Sequence, residues 1–79
     1  MNEITISARN TGGFDHNYQF RDGVSGRVWA AFVGSAQTIQ LLLTSNHSLG
    51  DGYGDLNWSQ DGGPWTHVGL LRHGGSITL

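Results

Sequence analysis

With 79 residues the chain has room for one domain around one core, and it contains no cysteine, which argues against a small disulfide-stapled secreted scaffold and fits a reducing compartment. Only 13% of the residues are charged, against about 25% in ordinary soluble domains. There is no lysine, and Arg9, Arg21, Arg27 and Arg72 are scattered, so the clustered basic face that would neutralise several phosphates cannot be built, and nucleic acid and anionic membrane are disfavoured as partners.

A surface made instead of Asn, Gln, Ser, Thr, His and Gly suits an uncharged polyhydroxyl ligand; the bland alternative is a polar surface with no ligand. The opening Met1-Asn2-Glu3-Ile4 has neither the basic stretch nor the apolar run of a secretory signal, so a cytoplasmic location is expected. The longest apolar run, Val28 to Val33, is far too short to span a bilayer. A chain of this size buries only about 60% of the surface its unfolded form exposes. Lacking disulfides, it is expected to gain stability as a homo-oligomer, most simply a dimer.

Glycine numbers 13, about twice its usual frequency, and the glycines cluster with Asp, Asn and Ser into turn signals separated by segments of strand length. Glu3 to Asn10 alternates, with Ile4, Ile6 and Ala8 on one face and Thr5, Ser7 and Arg9 on the other, the pattern of a half-buried strand. His16 to Arg21 sets Tyr18 and Phe20 together. Val28 to Val33 is apolar on both faces and reads as a central strand. Thr38 to Thr44 turns Ile39, Leu41 and Leu43 inward, although Ser35 could instead cap a short helix over 35–43. Asp55 to Gln60 alternates Leu56 and Trp58 against Asp55, Asn57 and Ser59. Trp65 to Leu71 and Ser76 to Leu79 complete about seven strands. The expected fold is a single all-β domain over 1–79, a small antiparallel β-sandwich or barrel.

A weak repeat runs through this pattern. Ile4-Thr5-Ile6, Ile39-Gln40-Leu41 and Ile77-Thr78-Leu79 recur, and each of the first two is followed by an aromatic strand, an Asp-Gly turn and a Trp-bearing strand. Two such halves would pack as related sheets about a pseudo-twofold axis.

The densest chemistry lies between Asp51 and His67. Trp58-Ser59-Gln60-Asp61-Gly62-Gly63-Pro64-Trp65 reads as a hairpin, because Asp-Gly-Gly accepts the positive φ of a tight reversal. It resembles the Asp-box, the Ser-x-Asp-x-Gly-x-x-Trp hairpin of sialidase-type propellers and other β-proteins. Ser59, Asp61 and Gly63 match, and Trp65 comes one residue early. The resemblance covers only this hairpin and implies a folding role: Asp61 accepting turn N–H bonds, Trp65 packed beneath, and no activity. A functional reading uses the same residues as a sugar site, with a tryptophan face stacked on a pyranose and Asp, Asn and His bonding its hydroxyls. The candidate ligand-binding residues are Asp51, Asp55, Asn57, Trp58, Asp61, Trp65 and His67. Trp58 is the expected platform and Trp65 the expected buried anchor. The opposing reading makes every tryptophan a core residue.

Other chemistries find less support. Asp55, Asn57, Ser59 and Asp61 echo the spacing of a calcium loop but lack its glycine and its closing glutamate. Asp22-Gly23-Val24-Ser25 looks slightly like the calcium element of βγ-crystallin domains; the aromatic corner that accompanies that element is missing from its expected place, and the family is not assigned. His16, His47, His67 and His73 have no metal-site spacing, and no nucleophile elbow is present. No catalytic residue, metal or cofactor is therefore expected. The expectation is a lectin-like carbohydrate-binding module acting through several copies, and the alternative is a protein-interaction domain using edge strands or an apolar patch.

Overall fold

The computed structural model describes residues 2–45 and 52–79, with the side chains of 2, 45 and 52–54 left aside. Seven strands run along the chain: β1 (Asn2–Arg9), β2 (His16–Asp22), β3 (Val28–Val33), β4 (Thr38–Ser45), β5 (Gly52–Gln60), β6 (Thr66–Arg72) and β7 (Ser76–Thr78). They form a three-stranded sheet in the order β4-β1-β7 and a four-stranded sheet in the order β3-β2-β5-β6. All pairings are antiparallel except β1 with β7. The fold is the expected β-sandwich.

Alternation places the core between the sheets. β1 contributes Ile4, Ile6 and Ala8, and Leu43 and Ile77 come from its two neighbours; Tyr18, Phe20, Val33, Leu56 and Leu71 face them from the four-stranded sheet. Trp29, Ala31, Ile39, Leu41, Trp58, Val68 and Leu79 pack around that cluster. The segment 38–45 is a strand, so the short-helix alternative is set aside. Ile39, Leu41 and Leu43 face inward while Leu42 is exposed, the period of two that a strand requires. Ser35 caps no helix. Its N–H bonds Asp15 Oδ1 at 2.7 Å, inside a turn that Gln37 N–H closes on Gly34 O at 3.0 Å.

The repeated pattern maps onto the connectivity. β1 and β4 enter the three-stranded sheet, and the hairpins that follow them, β2-β3 and β5-β6, make up the four-stranded sheet with β2 and β5 adjacent at its centre. Aligning Ile4-Thr5-Ile6 with Ile39-Gln40-Leu41 makes Ile6 equivalent to Leu41, and these two residues are directly paired. β7 is added outside this arrangement, parallel to β1 over Ser7 to Arg9.

One strand sits elsewhere than its composition suggests. β3 is the edge of the four-stranded sheet, not a central strand, and its outward residues Val28 and Phe32 are 46% and 60% exposed. The opposite edge, β6, is interrupted: Leu56 pairs with Gly69 but Asn57 pairs with His67, leaving Val68 as an extra residue, and Gly69 takes φ 87°. Bulges of this kind twist an edge away from further pairing. β3 has no such protection.

Register also reverses the expected roles of two tryptophans. Trp58 pairs with Phe20, shares its inward face, and meets Tyr18 edge-on with ring centroids 5.9 Å apart. Trp65 precedes Thr66, the cross-strand partner of Trp58, and so turns to the outer face, where it is 38% exposed. Trp58 is thus a core-lining residue and not a surface platform, and Trp65 is not a buried anchor. Accordingly, Trp58→Ala should lower stability by about 3 kcal/mol, and Trp65→Ala by about 1 kcal/mol or less. Thermal melts of the two variants check this, and equal losses would contradict the assigned faces.

Candidate functional site

The outer face of the four-stranded sheet follows from the same registers. Arg21 lies between Val28 of β3 and Asn57 of β5, and Asn57 in turn pairs with His67 of β6. One row further along, Gln19 lies between Ala30 and Ser59, beside Trp65, and the next row holds Phe32 and Asn17. Amides, an arginine and a histidine therefore occupy the middle of the face. An exposed aromatic stands to either side, Phe32 and Trp65. Arg21 stacks on Trp65 with its guanidinium carbon 4.6 Å from the ring centroid, a favourable cation–π arrangement. Asn57 and Ser59 are buried beneath these side chains although they belong to the outer face.

Asp55 stands at one end of the face. Its Oδ1 is 3.0 Å from His67 Nε2 and accepts from Asn57 Nδ2 at 3.2 Å, while its backbone carbonyl accepts from Gly23 N–H at 2.8 Å. Gly23 is needed there because a Cβ at that position would fall 2.0 Å from Asp55 Oδ2. Asp55, Asn57 and His67 thus lie together, and Trp65 is on the same face, stacked on Arg21. Trp58 is on the other side of the sheet. Asp51 lies outside the described residues.

Asp61 is held apart from this group at the β5-β6 turn. With Asp61 at φ 52° and Gly62 at φ 73°, and Gly63 N–H bonded to Gln60 O at 2.9 Å, the turn has the type I′ form that suits a twisted hairpin. The Asp61 carboxylate does not brace its own turn as the Asp-box resemblance implies. Oδ2 contacts His16 Nδ1 at 2.6 Å and Oδ1 accepts from Asn17 N–H at 3.1 Å, tying the turn to the start of β2. Beside it lies a shallow cleft of about 410 Å³, lined by Asn17, Gln19, Ala30, Ala31, Asp61 and Gly62. Small alanines of β3 and amides of β2 share its lining.

The calcium-like Asp22-x-x-Ser25 segment has a different task. Asp22 is fully buried, its Oδ1 accepts from Val24 N–H at 3.0 Å, and its Oδ2 accepts from the Ser25 hydroxyl at 2.8 Å. Its oxygens brace the β2-β3 turn. Among the described residues no group of three or more His, Asp or Glu side chains is placed to hold a metal ion. Local spacing did not point to Asn17, Gln19 and Arg21, because they join the site only through the pairing of β2 with β5. The one available signal was that they alternate with the buried Tyr18 and Phe20.

The hydrogen bonds from His16 and Asn17 hold the Asp61 carboxyl below the ordinary carboxylate range. A pKa lowered by folding contributes stability that is complete above the unfolded-state value and is lost as the pH falls through the folded-state value. Asp61→Asn keeps a residue that tolerates positive φ while removing the charge. The melting temperature of the parent should therefore fall more steeply than that of the variant on acidification below the ordinary carboxylate range, and parallel curves would refute the clip.

No protein-family model, no curated protein and no solved structure matches this chain, and the outer face must be interpreted from its own chemistry.

Proposed function

We propose that the protein is a carbohydrate-binding module that holds its ligand on the outer face of the four-stranded sheet, without a chemical step. The observation that carries this reading is the exposed indole of Trp65 beside the side chains of Arg21, Asn57 and His67. A pyranose offers an apolar C–H face to an aromatic ring and hydroxyls to amides, and a rigid sheet holds both kinds of group without ordering cost at binding. The neighbouring cleft at Asn17 and Gln19 extends the polar surface far enough for a second sugar unit. Trp65, His67 and Asp55 carry the contacts, Asn57 holds Asp55 in place from beneath, and Trp58 supports the sheet from below.

A shallow site of this kind binds weakly, and several copies held together raise the avidity. The unprotected β3 edge, with Val28 and Phe32 exposed, is the place we propose for self-association. The same edge favours the second reading, a protein-interaction domain that recruits a different chain by strand addition. No helix among the described residues is long and apolar enough to cross a membrane.

A glycan array tests the first reading. The parent should retain a defined subset of glycans, and Trp65→Ala should lose at least about tenfold in affinity with its circular dichroism unchanged. A blank array would overturn it. Phe32→Lys tests the β3 edge: light scattering should show the assembly reduced to monomer. A monomeric parent would remove the oligomer from the account.

A further inference from the structure

We propose that the ligand is an acidic saccharide, and that Arg21 receives its carboxylate; this rests on the sugar-binding reading above and changes the expected ligand from a neutral to a charged one. The argument starts from pairing. Each carboxylate beside the outer face has a histidine against it, Asp55 with His67 at 3.0 Å and Asp61 with His16 at 2.6 Å. Among the described residues no carboxylate pairs with Arg21. Among the described residues its one specific contact is the stack on Trp65. Its Nε is the single buried side-chain polar atom of the described residues that has no hydrogen-bond partner. The two Nη atoms are engaged by no bond either and do not share that burial, so solvent reaches them.

The cost of burying the Arg21 guanidinium falls on Nε alone, while the two Nη donors stay open on the outer face of a chain with few charges. Between them, the strand pairs on either side fix its position, with Val28 on β3 and Asn57 on β5. Packing on the indole holds the guanidinium plane steady. A planar fork with both terminal nitrogens open matches a carboxylate in two parallel hydrogen bonds, a geometry that neither lysine nor a hydroxyl ligand reproduces. The carboxylate of a uronic or sialic acid is fixed to the sugar ring, so seating it on Arg21 brings the ring alongside Trp65. Gln19, exposed on the same face, then reaches the ring hydroxyls. Asp55 and Asp61 each have a histidine and an N–H donor against their oxygens.

Trigalacturonate and its methyl ester, and sialyllactose and lactose, serve as paired probes in calorimetric titrations of the intact protein. Either acid should bind at least about tenfold more tightly than its neutral counterpart, the increment expected of a hydrogen-bonded charge pair. Arg21→Gln should remove that difference while leaving the weaker neutral affinity, and Arg21→Lys should restore only part of it. Comparing acid with ester on the parent needs no variant, so the result stands even if a substitution unfolds the chain. Equal affinity for acid and neutral forms would overturn the role of Arg21 and leave the sugar reading in place. Failure of the parent to bind any of the four, together with a blank glycan array, would remove both.

Discussion

The antiparallel pairing of β2 with β5 is the constraint on which the rest of the structure depends. The four-stranded sheet consists of two hairpins, and this pairing is what joins them. It opposes Phe20 to Trp58 on the core side and Arg21 to Asn57 on the outer side. Because strand side chains alternate with a period of two, a slip of one residue would turn Tyr18 and Phe20 to solvent and bury Gln19 and Arg21. Burying the two aromatic side chains is worth several kcal/mol, roughly 1.5–3 kcal/mol for each. In so small a domain that is a large part of the whole stability. The hydrophobic effect therefore sets the register, and the register composes the polar face.

The two faces of that sheet have different energetics. Inside, Tyr18, Phe20, Val33, Leu56 and Leu71 are sealed against β1, and burial together with the nearby Asp61 charge holds the Tyr18 phenol above its usual pKa. Outside, the contacts of His16 with Asp61 and of His67 with Asp55 are partly to largely open to solvent, and such contacts contribute little to stability. Their effect is positional. They tie the β5-β6 turn to the start of β2 and the first half of β5 to β6. An Asn10 side chain performs the corresponding task between the sheets, donating to Phe14 O at 2.8 Å and Val33 O at 3.1 Å while accepting from Gly12 N–H at 2.9 Å.

Much of this was legible from alternation. Ile4, Ile6 and Ala8 announce β1, and the parity of Ile39, Leu41 and Leu43 chooses strand over helix for β4. Parity also held the answer for the tryptophans: Trp58 shares its face with Leu56, which is fully buried, whereas the Asp-box resemblance pointed to Trp65 as the buried ring. A motif that describes one hairpin says nothing of which side the sheet buries. β3 misled for a related reason. An uncharged strand reads as doubly covered, but Val28 and Phe32 face solvent, and no local signal distinguishes a buried apolar face from one kept free for a partner. Asn17, Gln19 and Arg21 were hidden because they reach Asn57, Ser59 and Trp65 through a pairing separated by a long stretch of chain, and contacts of that range leave no periodic trace.

The central claim, that the outer face of the four-stranded sheet is the ligand surface, is tested most directly by nuclear magnetic resonance titration of the isotope-labelled protein with a glycan it retains. The account predicts that shifts concentrate on the Trp65 indole, on the amides of Asn17, Gln19, Arg21 and Asn57, and on His67, with the Trp58 indole changing little. Shifts confined to the three-stranded sheet, or to Val28 and Phe32 along the β3 edge, would contradict it.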